Sequence, residues 1–196
     1  MQINEQPYIS HFRSMAESTV EDVKHFVKEF NNYLKPSYLT EMYIKFLVEL
    51  KHCKEGFPID RYQHSLQTAT RAYRDKRDNE YVVMCLLHDV AEVFDPYHHD
   101  GIIAELLKNY ISDKNYFILK YHTTFQGFYY WDKLGLDKNA RDKYKTNPYY
   151  EDALEFVDKY DDKAFDPDYK NMSLEEFRPM LLEFFENRKS NKGSFV

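Results

Sequence analysis

VVMCLLHD, residues 82–89, sets six consecutive apolar side chains against a histidine and an aspartate. The run is far short of the roughly 20 apolar residues that cross a bilayer. Asn79 is placed to cap a helix here, Val83, Leu86, Leu87 and Val90 give it a buried face, and Phe94-Asp95-Pro96 ends it. Consecutive helical residues point about 100° apart, so His88 and Asp89 both face inward only where the helix is central or ending. Burying an imidazole beside a carboxylate is costly unless a cation or hydrogen-bond partners satisfy both. Two readings follow for the pair: a metal ion holds both residues, or the aspartate caps a helix end and the histidine is hydrogen-bonded nearby.

On either side the chain reads as a string of amphipathic helices with short breaks. Ser18 and Glu21 form a capping box, and Val20, Val23, Val27, Phe30 and Leu34 follow as one helical face up to Pro36. Residues 40–55 form a second helix with Ile44, Leu47 and Leu50 inward, closed by Gly56 and Pro58. A third begins near Arg61 and carries His64. Beyond residue 96, helices are expected from about Asp100, from Asp113 to about Lys133, from Pro148 through Lys163, and after Ser173 with Glu176. No stretch of four residues alternates strictly, so the expected fold is all-α, one domain over residues 1–196, with its core at about 55–188 and the helices of 1–54 packed on it.

Composition narrows the function. Forty-three per cent hydrophobic residues with only 5 Gly and 7 Pro exclude disorder and fibrous repeats. The net charge of -6 is a poor match for a phosphate backbone, which excludes nucleic acid as the main ligand. No run spans a membrane and the start MQINEQPYIS is polar, so the chain reads as cytoplasmic. Cys53 and Cys85 then read as small buried hydrophobes rather than a disulfide. The 18 Tyr and 15 Phe fill a core, with Phe26, Phe30 and Phe184 among them. Phe125, Phe128, Tyr129 and Tyr130 directly follow His122, where they can wall a site from water.

Counting neighbours strengthens the metal reading. His64 lies 24 residues before His88 on its own helix, His99 and His122 follow on two more, and Asp161 on another. Ligands projecting inward from facing helices are the means by which a helical bundle builds a metal site in its core.

Five segments in this order, HSLQTATRA (64–72), LLHDVAE (86–92), HHDGIIAELL (98–107), HTTFQGFYY (122–130) and YDDKAFDPDY (160–169), resemble the HD-domain superfamily of metal-dependent phosphohydrolases. Within it they are most similar to the branch containing inositol oxygenase and organophosphonate-cleaving diiron oxygenases. The resemblance implies an HD-type bundle in which His64, His88, Asp89 and Asp161 hold one metal, His99 and His122 bring a second, and Asp89 bridges. The branch uses two Fe ions, mixed-valent Fe(II)/Fe(III); the donors alone also suit Mn, Co or Zn. His99 is preferred to His98 because, in the pattern, the ligand follows a polar residue and lies 23 residues before the next histidine. His11, His25 and His52 belong to no such series.

Three further residues are candidates for work on substrate: Glu92 as proton acceptor or ligand orienter, Gln126 as a hydrogen-bonding group, and Lys163 as a counter-ion to an anionic substrate. Arg71, Arg74, Lys76 and Arg77 read as a wet helix face and Arg141 as a surface residue. The branch places Lys or His where this chain has Glu92, and the organophosphonate enzymes a Lys where it has Gln126. Those departures keep hydrolysis in view. The implied activity is oxidative C–C or C–P cleavage of a small hydroxylated substrate with O2; the alternatives are a dinuclear phosphohydrolase acting on a nucleotide or phosphomonoester, and a helical binding module with a structural metal.

Overall fold

A computed structural model describes residues 8–53 and 56–188. The polar start at 1–7 and the expected helix end at 54 and 55 lie outside those residues. Among the described residues eight α-helices follow in order: α1 (Val20–Tyr33), α2 (Pro36–Glu49), α3 (Arg61–Arg74), α4 (Asn79–Leu87), α5 (His99–Leu107), α6 (Asp113–Gln126), α7 (Tyr150–Phe156) and α8 (Leu174–Glu186). Short 3-10 turns connect several of them, and there is no strand among the described residues. No helix among them is long and apolar enough to cross a membrane.

The core forms around α4. Val82 through Leu87 are all fully buried, as a helix apolar around its whole circumference must be. α3, α6 and α8 surround it, α5 pairs with α6, and α2 closes against α8. α2 belongs to the same core, contributing Leu39, Tyr43, Ile44 and Leu47, with Leu50 just past its end. α1 contributes no residue to it. Its expected inward face is largely open, with Val20 72% and Phe30 47% exposed, so the three-and-four spacing there marks amphipathicity rather than burial.

The helix boundaries differ from expectation where a neighbouring residue makes the better bond. α1 is capped one residue later, by a box of Thr19 with Asp22, while the Ser18 hydroxyl donates to the Met15 carbonyl. Asp78 rather than Asn79 caps α4, accepting from the Tyr81 N–H at 2.8 Å. Ser173 and Glu176 box the start of α8 as the sequence reads. The basic run expected as a wet helix face is only partly so: Arg71, on α3, lies over the Tyr169 ring, and Arg77, past the end of α3, reaches Glu155 and the Tyr160 hydroxyl.

α6 ends at Gln126, seven residues before the expected Lys133, where the chain tightens into the 3-10 turn Gly127–Tyr129 and Trp131 packs back on Gly127. A Cβ at Gly127 would fall on the Trp131 indole. Gly127→Ala should therefore destabilise the protein by about 1–3 kcal/mol through overpacking, readable as a lower midpoint in urea with an unchanged slope.

Candidate metal centre

Six buried side chains converge from five directions. His64 lies in the first turn of α3, His88 caps the C-terminus of α4, Asp89 is the next residue, His99 opens α5, and His122 lies near the end of α6. Because α4 stops at Leu87 and Asp89 has left the helical conformation, two adjacent side chains aim at one point. Asp161 arrives differently. Past α7 the chain widens into one π-helical turn, Val157–Asp161, with the Asp162 N–H bonded to the Val157 carbonyl at 2.9 Å. Such turns re-aim a side chain that a continuous α-helix would carry elsewhere, and they recur at functional sites.

The two oxygens of Asp89 divide the cluster. Oδ2 lies 3.2 Å from His64 Nε2 and 3.0 Å from His88 Nε2, and Asp161 Oδ1 lies 3.1 and 3.6 Å from the same two nitrogens. Oδ1 lies 3.2 Å from His99 Nε2 and 3.3 Å from His122 Nε2. Within each group the two imidazoles meet edge on, with Nε2 atoms 3.1 Å apart in both.

That contact between like atoms identifies what the site needs. Each ring presents its Nδ1 to a backbone carbonyl: His64 to Ala164 at 3.1 Å, His88 to Cys85 at 2.8 Å, His99 to Pro96 at 2.8 Å and His122 to Leu119 at 2.7 Å. A carbonyl only accepts, so every Nδ1 carries the hydrogen and every neutral ring turns a bare Nε2 lone pair inward. Paired lone pairs and two buried carboxylates demand positive charge. Without metal, protons supply it: burial alone would discharge His88, but Asp89 and Asp161 outweigh burial and lift its pKa to about 10. Burial likewise opposes the charge on His99, and Asp89 raises its pKa. Burial would raise both aspartates, yet Arg61 and His88 hold Asp89 well below the usual carboxylate range, and His64 and His88 do the same for Asp161. Asp161 Oδ2 is buried with no hydrogen-bond partner. Imidazole and carboxylate donors with an orphaned oxygen fit divalent or trivalent cations in place of those protons.

The remaining candidates fall into different places. Glu92 is at the rim, but its carboxylate is taken by Arg61, which donates from Nε to Oε2 at 2.8 Å and from Nη2 to Oε1 at 3.0 Å. Gln126 reaches the cluster and commits its amide to Asp161 Oδ1 at 2.8 Å. Lys163 is not brought in; it is exposed and pairs with its neighbour Asp162 at 2.8 Å. His98 is also outside, exposed and bonded to Asp95. Phe125 is fully buried, and Phe128, Tyr129 and Tyr130 are half-buried beyond it. Arg141 is half-buried, with its guanidinium 3.7 Å from the centroid of the Phe128 ring.

Two site residues were not read from the sequence. Thr123 Oγ1 lies 3.4 Å from His99 Nε2. Arg61, 6% exposed, touches Asp89 as well as Glu92; its only sequence signal is that it stands three residues before His64, one turn away on α3.

Residues 164–172 run along α3 and are fastened to it by side chains. The Gln67 amide donates to the Asp166 carbonyl at 2.7 Å and accepts from the Asp166 N–H at 3.3 Å, Thr70 accepts from the Met172 N–H at 2.9 Å, and Arg74 donates to the Lys170 carbonyl at 2.6 Å. The same segment supplies the Ala164 carbonyl that fixes the His64 tautomer.

Scanned against protein-family models the chain matches none, and a search of curated proteins returns no relative.

Proposed function

We propose that this chain is an HD-type bundle holding a dinuclear metal centre, and that it is a mixed-valent diiron oxygenase cleaving a C–C or C–P bond of a small hydroxylated substrate. The observation that carries the reading is the division of four Nε2 donors between the two oxygens of Asp89. His64, His88, Asp89 and Asp161 would hold one ion; His99, His122 and Asp89 the other. When bound, the iron pair would supply the electrons that activate O2 and the site at which substrate hydroxyls attach.

The protein's own part is to bind, orient and exclude water. The second group offers two imidazoles and the Asp89 carboxylate, a set that leaves positions open and is characteristic of non-haem iron oxygenases; a Glu92 oxygen also lies within 4.8 Å of the Asp89 and His99 donors, but that carboxylate is held by Arg61. Gln126 fixes Asp161, and Phe156 and Phe165 pack against the histidines. Lys163, exposed and paired with Asp162, lies outside the cluster.

The phosphohydrolase reading uses the same donors and asks Glu92 to manage protons. The two hydrogen bonds that Arg61 donates to Glu92 count against it, because a carboxylate so paired is a poor base. A structural metal counts for less, since structural sites are usually closed by four protein ligands around one ion.

The test is spectroscopic and chemical together. Protein prepared anaerobically and partly oxidised should give a coupled-iron EPR signal that shifts on adding the right vicinal diol or hydroxyphosphonate. Retention of Mn, Co or Zn, with no coupled signal and with phosphate released from a phosphomonoester panel, would replace the oxygenase with the hydrolase.

A further inference from the structure

We propose that Arg61, anchored by Glu92, is the positioning residue that sets the Asp89 carboxylate across the two histidine groups. The inference rests on the dinuclear reading above and gives Glu92 a different task from proton transfer. Arg61 is the first residue of α3 and His64 lies one turn on, so a single helix presents both a metal donor and the clamp on its neighbour. The guanidinium donates through Nη2 to Asp89 Oδ2, the oxygen that faces His64 and His88. The other oxygen is thereby left for His99 and His122. Rotation of the carboxylate would exchange or lose that division.

A clamp must itself be held. Glu92 accepts from Nε at 2.8 Å and, at 3.0 Å, from the same Nη2 that serves Asp89, and the 3-10 turn Val90–Val93 keeps it close to Asp89, with the Glu92 N–H bonded to the Asp89 carbonyl at 2.9 Å. The Phe57 and Phe165 rings lie 5.1 and 5.6 Å from the guanidinium carbon. A planar fork with two bonded carboxylates and two ring faces has one orientation, which a flexible ammonium cannot reproduce.

Sign separates positioning from simple charge. Arg61 places a positive charge beside a cation site, so on electrostatics alone its removal should tighten metal binding. Loss of a group that orients a metal ligand should instead weaken binding by about 10–100-fold. The experiment is chelator competition with Zn(II) and Co(II) on wild type, Arg61→Gln, Arg61→Lys, Glu92→Gln and the Arg61→Gln/Glu92→Gln double variant, with circular dichroism of each metal-free protein as the folding control. The expected results are the 10–100-fold loss for Arg61→Gln, a smaller loss for Arg61→Lys, a loss for Glu92→Gln, and no further loss in the double variant. Arg61→Lys keeps the charge and carries the test if Arg61→Gln fails to fold.

Binding as tight as wild type in a folded Arg61 variant would overturn the proposal, and additive losses in the double variant would break the chain from Glu92 through Arg61 to Asp89. A wild-type protein that binds neither metal would instead refute the dinuclear reading itself.

Discussion

Replacing Asp89 by asparagine should empty both metal positions at once. Asp89 is the one side chain whose two oxygens serve both histidine groups, and an amide offers neither the charge nor a second oxygen. The expected loss of affinity is at least about 100-fold for each ion, above the range for residues that merely orient a ligand. His122→Ala should behave differently, removing a donor from one group and leaving the set of His64, His88, Asp89 and Asp161 intact. Metal analysis after dialysis against limiting iron distinguishes the two: both ions lost from the first variant, one from the second. Full metal content in Asp89→Asn, or in His122→Ala, would show that the six side chains do not form the centre. The metal-free Asp89→Asn protein should still fold, because Arg61 keeps Glu92 as its partner.

The second large effect links the core to the centre. Phe156 is fully buried at the end of α7 and meets three rings edge to face: His88 at 5.6 Å, His122 at 6.2 Å and Tyr81 at 6.5 Å between centroids. Phe156→Ala should destabilise the metal-free protein by about 3–5 kcal/mol, the range for removing a large buried ring and leaving a cavity. Urea denaturation measures it. The same variant should bind metal more weakly, since two imidazoles lose the surface that holds their planes. A loss below about 1 kcal/mol would mean that the neighbours collapse into the space.

Much of the architecture was legible because the chain marks its helices with local chemistry. The buried run 82–87 and the box at Ser173 and Glu176 appear in the structure where the sequence puts them. Misreadings arose where the deciding partner is distant or the backbone departs from the α-helix. Nothing in 113–133 alone says that Trp131 folds back over Gly127, and nothing in 148–163 announces a π turn at Val157. For α1, periodicity reports one apolar face but not whether anything covers it, and Val20 and Phe30 stay exposed.

The candidate site shows the same division. His64, His88, Asp89, His99, His122 and Asp161 could be singled out because histidines and aspartates on separate helices are recognisable by type and order. Tasks for Glu92, Gln126 and Lys163 could not be read, since each depends on which neighbour is nearest: Arg61, Asp161 and Asp162 respectively. Arg61 escaped for a physical reason. A cation at the start of a helix is ordinarily solvated, and only the return of the 88–92 turn against it makes it a buried partner.

The fastening of residues 164–172 along α3 bears on when the centre can come into being. His64 takes its tautomer from a carbonyl 100 residues later, and Gln67, Thr70 and Arg74 reach across separations of 96 to 102 residues. Loops of that length close late, after the local helices have formed. A chain still emerging from the ribosome would carry four of the histidines without the segment that locks the first of them or the aspartate that completes its group. The convergence of these six side chains therefore belongs to the finished bundle, as a last event of folding rather than its nucleus.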